Sequence, residues 1–194
     1  GYTLLMGGAS NTINMSLFSK PPYDTLRDLT PVSWCVQGAN VLAAHPSVPF
    51  RSLKETVVYA RVTPGKLSYS SGLPGVSPQL SMELLKLMAK LDIVNIPYKI
   101  ASQAVSDTIG GQVPINMSNL PVTVQPVQTG RLRALAVTSA RRAPQMPNVP
   151  TVLESGFSNF DVQSWYGVCT TAGTPAAILD KLSADFHTVL RTPE

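Results

Sequence analysis

The 194-residue chain weighs 20.7 kDa, is 44% apolar and 13% charged, and has a mean hydropathy of +0.11. The charged share is about half of the roughly 25% usual in globular proteins, which excludes intrinsic disorder, and no apolar run reaches the roughly 20 residues of a bilayer-spanning helix. The net charge of +4 has one local concentration, at Arg131, Arg133, Arg141 and Arg142, without the dense basic stripe and interleaved aromatics of a nucleic-acid reader, so no nucleic-acid partner is expected.

In chain order, Tyr2–Met6 reads as a short strand ending at Gly7-Gly8, and Asn11–Ser19 as a short helix started by Ser10 or Asn11. Pro21-Pro22-Tyr23-Asp24 is a turn or extended connector. Val32–His45 is a long extended stretch whose one candidate break is Gly38. Ser52 predicts the N-cap of a helix to about Val62, with Glu55 completing a capping box and Thr63-Pro64-Gly65 stopping it. Lys66–Ser70 is a strand. Ser77 as N-cap and Pro78 in the first turn open a helix to about Lys90, with Leu80, Leu84, Leu87 and Met88 as its core face. Asp92–Ile96 is a strand, and Ser102–Ile109 a helix closed by Gly110-Gly111. Val113–Met117 is a strand, Pro121–Thr129 a short helix or turn, and Leu132–Thr138 a strand. Ser139–Pro150 is a proline-rich loop, and Val152–Ser155 a helical turn ended by Gly156. Phe160–Gln163 and Tyr166–Thr170 are strands. Pro175–Leu190 is an amphipathic helix with Ile178, Leu182, Phe186 and Leu190 on one face. This alternation of strands and helices predicts an α/β fold with a largely parallel sheet.

Catalytic groups are scarce. The two histidines, His45 and His187, lie at a strand end and in the terminal helix, and the 11 carboxylates show no pairing pattern. No nucleophile elbow, P-loop or G-x-G-x-x-G occurs; Gly72 and Gly75 give only a weak G-x-x-G. Cys35 and Cys169 sit in apolar strand-like segments and read as buried free thiols, although their even number also permits a disulfide; they show no metal-ligand spacing. The expectation is a protein that is not an enzyme, with no cofactor and no metal.

One unit recurs instead: a strand, a loop of small polar residues, and a helix N-terminus. It appears at Leu5 to Thr12, at Tyr69 to Pro78, and at Ile96 to Gln103. At the carboxyl edge of parallel strands such loops form ligand sites. The first N–H groups of a helix lack intrahelical partners, and with the macrodipole they favour an anion without a basic side chain.

Read together, these strings resemble the Bug receptors, the TctC family of substrate-binding proteins of tripartite tricarboxylate transporters. The resemblance is carried by Gly1-Tyr2-Thr3-Leu4-Leu5-Met6-Gly7, Gly8-Ala9-Ser10-Asn11-Thr12-Ile13-Asn14, and Tyr23-Asp24 before Asp28-Leu29-Thr30-Pro31-Val32. It continues through His45-Pro46-Ser47-Val48-Pro49, Pro64-Gly65-Lys66-Leu67, Ser77-Pro78-Gln79-Leu80, Ile96-Pro97-Tyr98-Lys99 and Gly110-Gly111-Gln112-Val113. Gly130-Arg131-Leu132-Arg133-Ala134-Leu135-Ala136-Val137-Thr138, Val149-Pro150-Thr151-Val152, Ser164-Trp165-Tyr166-Gly167 and Ala172-Gly173-Thr174-Pro175 complete it in family order.

The resemblance implies a type II periplasmic-binding-protein fold. Two α/β domains, joined by crossover strands near Val32–His45 and Leu132–Thr138, would close over a small carboxylate in the cleft between them. Residues 40–138 would form one nearly complete domain; residues 1–39 and 139–194 would belong to the other, incomplete in this chain because family members carry sequence upstream of Gly1 and beyond Glu194. The residues implied in ligand binding are Gly8, Ala9, Ser10 and Asn11 from the first domain. From the second come Ser70, Ser71, Gly72, Gly75, Val76 and Ser77, then Ala101, Ser102 and Gln103, and finally Ser118 and Asn119. The implied setting is a monomeric periplasmic receptor, its signal peptide not in this chain, read in its closed state by membrane transporter subunits or a sensor protein. The sequence departs from the family pattern at Ile100 (usually Gly), Ser118 (often Asp) and Pro114 (often Asp). Loss of an acid at Ser118 favours a plain carboxylate over an amino acid. The effector domain of a LysR-type transcription regulator shares the architecture and is the alternative reading.

Overall fold

Proline and glycine punctuate apolar segments short enough for single strands and helices, and the computed structural model, which describes residues 3–192, follows that punctuation closely. In chain order the elements are β1 (Leu5–Gly8), α1 (Ala9–Leu17), α2 (Thr25–Asp28), β2 (Leu29–Ala44), α3 (Leu53–Val62), β3 (Ser68–Ser71) and α4 (Ser77–Ala89). They continue with β4 (Val94–Pro97), α5 (Ala101–Ile109), β5 (Ile115–Asn119), α6 (Leu120–Gln128), β6 (Arg133–Val137), β7 (Gln163–Thr171) and α7 (Ala176–Leu190).

Several expectations are corrected. Tyr2 lies outside the described residues. The first helix starts at Ala9, so Ser10 and Asn11 stand inside its first turn. The turn α2 was not expected; the Asp24 carboxylate forms it by accepting from the Leu26 and Arg27 N–H groups. β2 runs through Gly38 without a break. Ser52 does cap α3, accepting from Glu55 N–H at 3.2 Å, but Glu55 Oε2 accepts from Arg51 N–H (2.7 Å) and not from Ser52. The N-cap of α4 is Val76, not Ser77. Its buried face is Ser77, Ser81, Met82, Leu85 and Ala89, whereas Leu87 is 75% exposed. A hydrophobicity count passes over the two serines and so rotates the helix the wrong way. Phe160–Gln163 is not a strand: Phe160 is a buried plug, and β7 begins at Gln163. No residue of α7 is buried, and Ile178 and Leu190 of its expected core face are exposed.

The chain forms two compact units, Gly1–Gln37 with Trp165–Glu194, and Gly38–Ser164. The expected return at residue 139 therefore moves to residue 165. The reason is packing: Val152 and Phe160 join one core cluster of the second unit, and Ala143 and Met146 join its other cluster.

In the first unit β1 pairs antiparallel with β7 (Leu5↔Cys169, Gly8↔Tyr166), and the Ala172 N–H donates to the Asp28 carbonyl. Trp34 and Trp165 stack at 5.3 Å between ring centroids. Cys35 and Cys169 are free thiols, half-buried.

In the second unit the sheet is mixed, not largely parallel. β3 is parallel to β4 and to β5, while β2 is antiparallel to β5 and to β6. Side-chain alternation sorts the core into two layers. Leu42, Tyr69, Ile115 and Met117 face α3 and α4, packing with Leu53, Met82 and Leu85. Val41, Ala43 and Val137 face the other way with Val105 of α5 and Leu120 of α6. A bulge between Leu42 and Ala43 in the β2–β6 ladder turns both Leu135 and Ala136 to the first layer.

Candidate functional site: a sheet edge beneath three helix N-termini

The parallel registers Ser71↔Pro97 and Ser70↔Asn116 bring the carboxyl ends of β3, β4 and β5 to one edge of the second unit. The antiparallel pairs Asn40↔Asn119 and Val41↔Val137 add the start of the unit's β2 segment and the end of β6 to that edge. Helices α4, α5 and α6 all begin there, with N-caps Val76, Ile100 and Asn119.

These three helix starts share two features. None is capped by a side chain, and none has an acid in its first turn. By contrast, α2 and α3 are capped by Asp24 and Ser52 and carry Asp28 and Glu55 in the first turn. α1 and α7 also lack both a side-chain cap hydrogen bond and a first-turn acid. Unsatisfied N–H groups with no nearby negative charge are what an anion needs.

The loop between β3 and α4 depends on its glycines. Gly75 has φ +88°, which side chains disfavour, and a Cβ at Gly72 would lie 2.9 Å from Val76 Cγ2. The Gly75 N–H is taken by Gln79 Oε1 at 3.3 Å. The loop also ties the strands together: Tyr98 N–H donates to the Ser71 carbonyl.

Not all expected site residues present side chains to this edge. Ser70 is fully buried, its hydroxyl held by the Ala104 carbonyl, Thr108 Oγ1 and Asn116 Nδ2 beneath α5. Ser71 is also fully buried, and its hydroxyl donates to Asn95 Oδ1 at 3.0 Å. Both serines hold the scaffold. Ala101, Ser102 and Gln103 are exposed in the first turn of α5, while Gln103 Nε2 donates to Asp107. Ser118 is buried within β5, and Asn119 is half-buried at its end.

The Gly8–Asn11 turn belongs to the first unit. Gly7 and Gly8 are buried, and a Cβ at Gly8 would lie 3.0 Å from the Trp165 carbonyl oxygen. Asn11 is committed at both ends: Oδ1 accepts from Gly8 N–H (2.8 Å) and Nδ2 donates to Tyr23 Oη (2.6 Å). Its amide shapes the turn. Ala9 and Ser10 are half-buried at the start of α1.

Sequence reasoning missed the centre of the edge. Asn40 is fully buried, and all its polar atoms are used. Its Nδ2 donates to Ser77 Oγ (3.0 Å) and Ser81 Oγ (2.9 Å), and its Oδ1 accepts from Asn119 Nδ2 (3.1 Å) and Ser164 Oγ (2.9 Å). Its backbone exchanges bonds with Thr138. One amide thus gathers the N-termini of α4 and α6 onto β2. The available signal was a lone Asn inside the apolar run Ala39-Asn40-Val41-Leu42, where a buried polar residue demands partners.

Tyr69, under the same edge, donates to Glu83 Oε1 at 2.6 Å; burial and the adjacent carboxylate hold its phenol protonated well above the usual range. Among the described residues no three His, Cys, Asp or Glu side chains cluster to hold a metal. The edge offers backbone N–H groups, hydroxyls and amides, groups with the chemistry to hydrogen-bond a small polar molecule.

The family described as the tripartite tricarboxylate transporter family receptor, TctC, matches residues 1–194. The chain is 32% identical over 194 residues to protein BugT of Bordetella pertussis, covering 99% of this chain and 60% of that protein. A structure described as that of a periplasmic transporter superposes with a TM-score of 0.93 at 34% identity, over 99% of this chain and 65% of that one. The Rpa4515 protein of R. palustris, solved with adipate, superposes with a TM-score of 0.92 at 32% identity, over 99% and 64%. The chain thus spans less than two thirds of the length of these relatives. Mixed α/β topology, an uncapped sheet edge and a family match over the whole sequence converge: this chain belongs to the tripartite tricarboxylate transporter family of receptors, TctC.

Proposed function

We propose that this chain is the solute-binding part of a periplasmic receptor that takes a small carboxylate and delivers it to a tripartite tricarboxylate-type transporter or a sensor protein. The observation that carries the reading is a convergence: α4, α5 and α6 reach one edge with N-termini that no side chain caps and with no first-turn acid. Adipate in the R. palustris relative supports the ligand class. The N–H groups at the starts of α4 to α6 carry the carboxylate, with Gly72, Gly75, Val76 and Ser77 shaping the approach and Ala101, Ser102 and Gln103 presenting the α5 turn. Ligand binding shifts the equilibrium between open and closed forms by its differential affinity for the closed one.

Calorimetry of the protein against a panel of dicarboxylates, adipate included, tests this. At least one is expected to bind. Ser102→Asp places an exposed acid in the first turn of α5 and is expected to weaken that binding about tenfold without unfolding the protein. A panel with no binder, or unchanged affinity in Ser102→Asp, refutes the site.

A further inference from the structure

Helix α5 is seated on the sheet differently from α3 and α4. α3 packs through Leu53, Val57 and Ala60, and α4 through Met82, Leu85 and Ala89. The buried residues of α5 are Ala104, Val105 and Thr108, so its apolar anchor is one valine and one alanine, with Ile109 half-buried beside them. Beneath it the sheet presents polar side chains. Ser70 of β3 and Asn116 of β5 are register partners, and both are fully buried. Asn116 Nδ2 donates to the Ser70 carbonyl oxygen (3.2 Å) and to Ser70 Oγ (2.7 Å). Ser70 Oγ in turn meets Thr108 Oγ1 (2.9 Å) and the Ala104 carbonyl (3.1 Å) of α5. The Ser70 carbonyl can only accept, which fixes the Nδ2 end of Asn116 toward β3. Its Oδ1 is left over: it is the one fully buried side-chain oxygen or nitrogen without a partner among the described residues. The cross-strand neighbour on β2 is Ala43, whose side chain brings no donor.

A buried amide oxygen without a donor forfeits its hydration in the packed structure and regains it as soon as water enters. The apolar area that opposes such an opening is small at α5. We infer that α5 is a detachable element: it lifts from the sheet in a local opening that leaves α3 and α4 packed, and the Ser70–Asn116 seat sets how easily it lifts. The helix gives up little on leaving. Thr108 Oγ1 keeps its bond to the Ala104 carbonyl (3.0 Å), and only the link from Ser70 is broken. Tyr98 Oη donates to Asp107 Oδ2, which ties α5 to the segment leading into it and not to the sheet. The Tyr98 N–H, bonded to the Ser71 carbonyl, is one pivot. Gly110 and Gly111, the latter at φ +74°, follow the helix and form the other. Weak apolar anchoring over a polar seat is what units of sub-global opening have. Lifting withdraws the first turn of α5 from the edge it shares with α4 and α6. That consequence rests on the carboxylate-receptor reading above, whereas the opening itself does not.

The test is native-state hydrogen exchange of the ligand-free protein, followed residue by residue at low urea concentrations. The amides of residues 105–109 are expected to exchange at least about a hundredfold faster than those of residues 82–89 in α4, each relative to its intrinsic rate, through an opening with little urea dependence. Ser70→Ala combined with Asn116→Val makes the seat apolar and is expected to narrow that gap about tenfold. A general stabilisation would slow both helices together and leave the gap unchanged. If the double variant does not fold, Asn116→Val alone carries the same expectation, and the wild-type comparison needs neither. α5 amides within about threefold of those of α4, or an α5 opening with the urea dependence of global unfolding, overturns the detachable element. A gap unchanged or widened in the folded variant overturns the assignment to the Ser70–Asn116 seat. No acid is present in this experiment, so a carboxylate panel without a binder strikes the receptor reading and leaves this result standing.

Discussion

Replacing Asn40 by leucine measures how much the edge depends on one amide. The substitution removes four side-chain hydrogen bonds, two to α4 and one each from Asn119 and Ser164. At about 1 kcal/mol net per bond this costs ~4 kcal/mol. The buried leucine returns about 2 kcal/mol. Asn119 Nδ2 loses a buried acceptor, which adds about 1 kcal/mol. The net loss is about 3 kcal/mol, or roughly 9 °C in Tm for a chain of this size. Urea unfolding is the assay. The midpoint is expected to fall with an unchanged m-value, because the surface exposed on unfolding is the same. Asn40→Asp removes both donors to α4 and buries a carboxylate with no cation beside it, so it is expected to be at least as damaging as leucine. A leucine variant within 1 kcal/mol of wild type, or aspartate as stable as wild type, refutes the view that this amide holds the edge together.

Tyr69→Phe deletes the donor to Glu83 and is expected to cost about 1–2 kcal/mol at neutral pH. Because the folded phenol titrates above its usual value of 10.0, its contribution is complete below pH 10 and fades as the pH rises toward the shifted value, so Tyr69→Phe flattens the alkaline side of a stability–pH profile. An unaltered alkaline slope refutes it. Asp28 is held at about 2 by the Arg27 guanidinium and the Asp24 N–H, so its stabilising charge is present above pH 3.8 and lost as the pH falls through 2. Arg27→Gln should move the carboxyl midpoint upward in an NMR titration, and an unmoved midpoint refutes the pairing. A Cβ at Gly167 would lie 2.8 Å from the Ser33 carbonyl oxygen, a backbone atom that cannot step aside. Gly167→Ala is expected to lower stability by about 1–3 kcal/mol, while Gly38→Ala, with nothing within 4 Å, stays within about 0.5 kcal/mol in the same thermal unfolding experiment.

By itself the sequence determined the class of the fold, the order of most of its elements, and the three strand–loop–helix turns. Those depend on local chemistry: serine and proline at helix starts, glycine after helix ends, alternating apolar residues in strands. The family resemblance was likewise legible, because its motifs sit at those turns. Which strands run parallel was not legible, since β2 meets β5 and β6 antiparallel through pairings 71 or more residues apart in the chain. Nor was the buried face of α4, where Ser77 and Ser81 turn inward only because Asn40 is waiting there. Side-chain parity decided the fate of Ser70 and Ser71, which a loop reading offers to the ligand and the sheet turns into its two layers. The polarity of Asn119 was settled by a chain of donors and acceptors running from Ser81 through Asn40. Hydrogen-bond direction is a property of neighbours in space, and only the tertiary structure brings residues 40, 81, 119 and 164 within reach of one another.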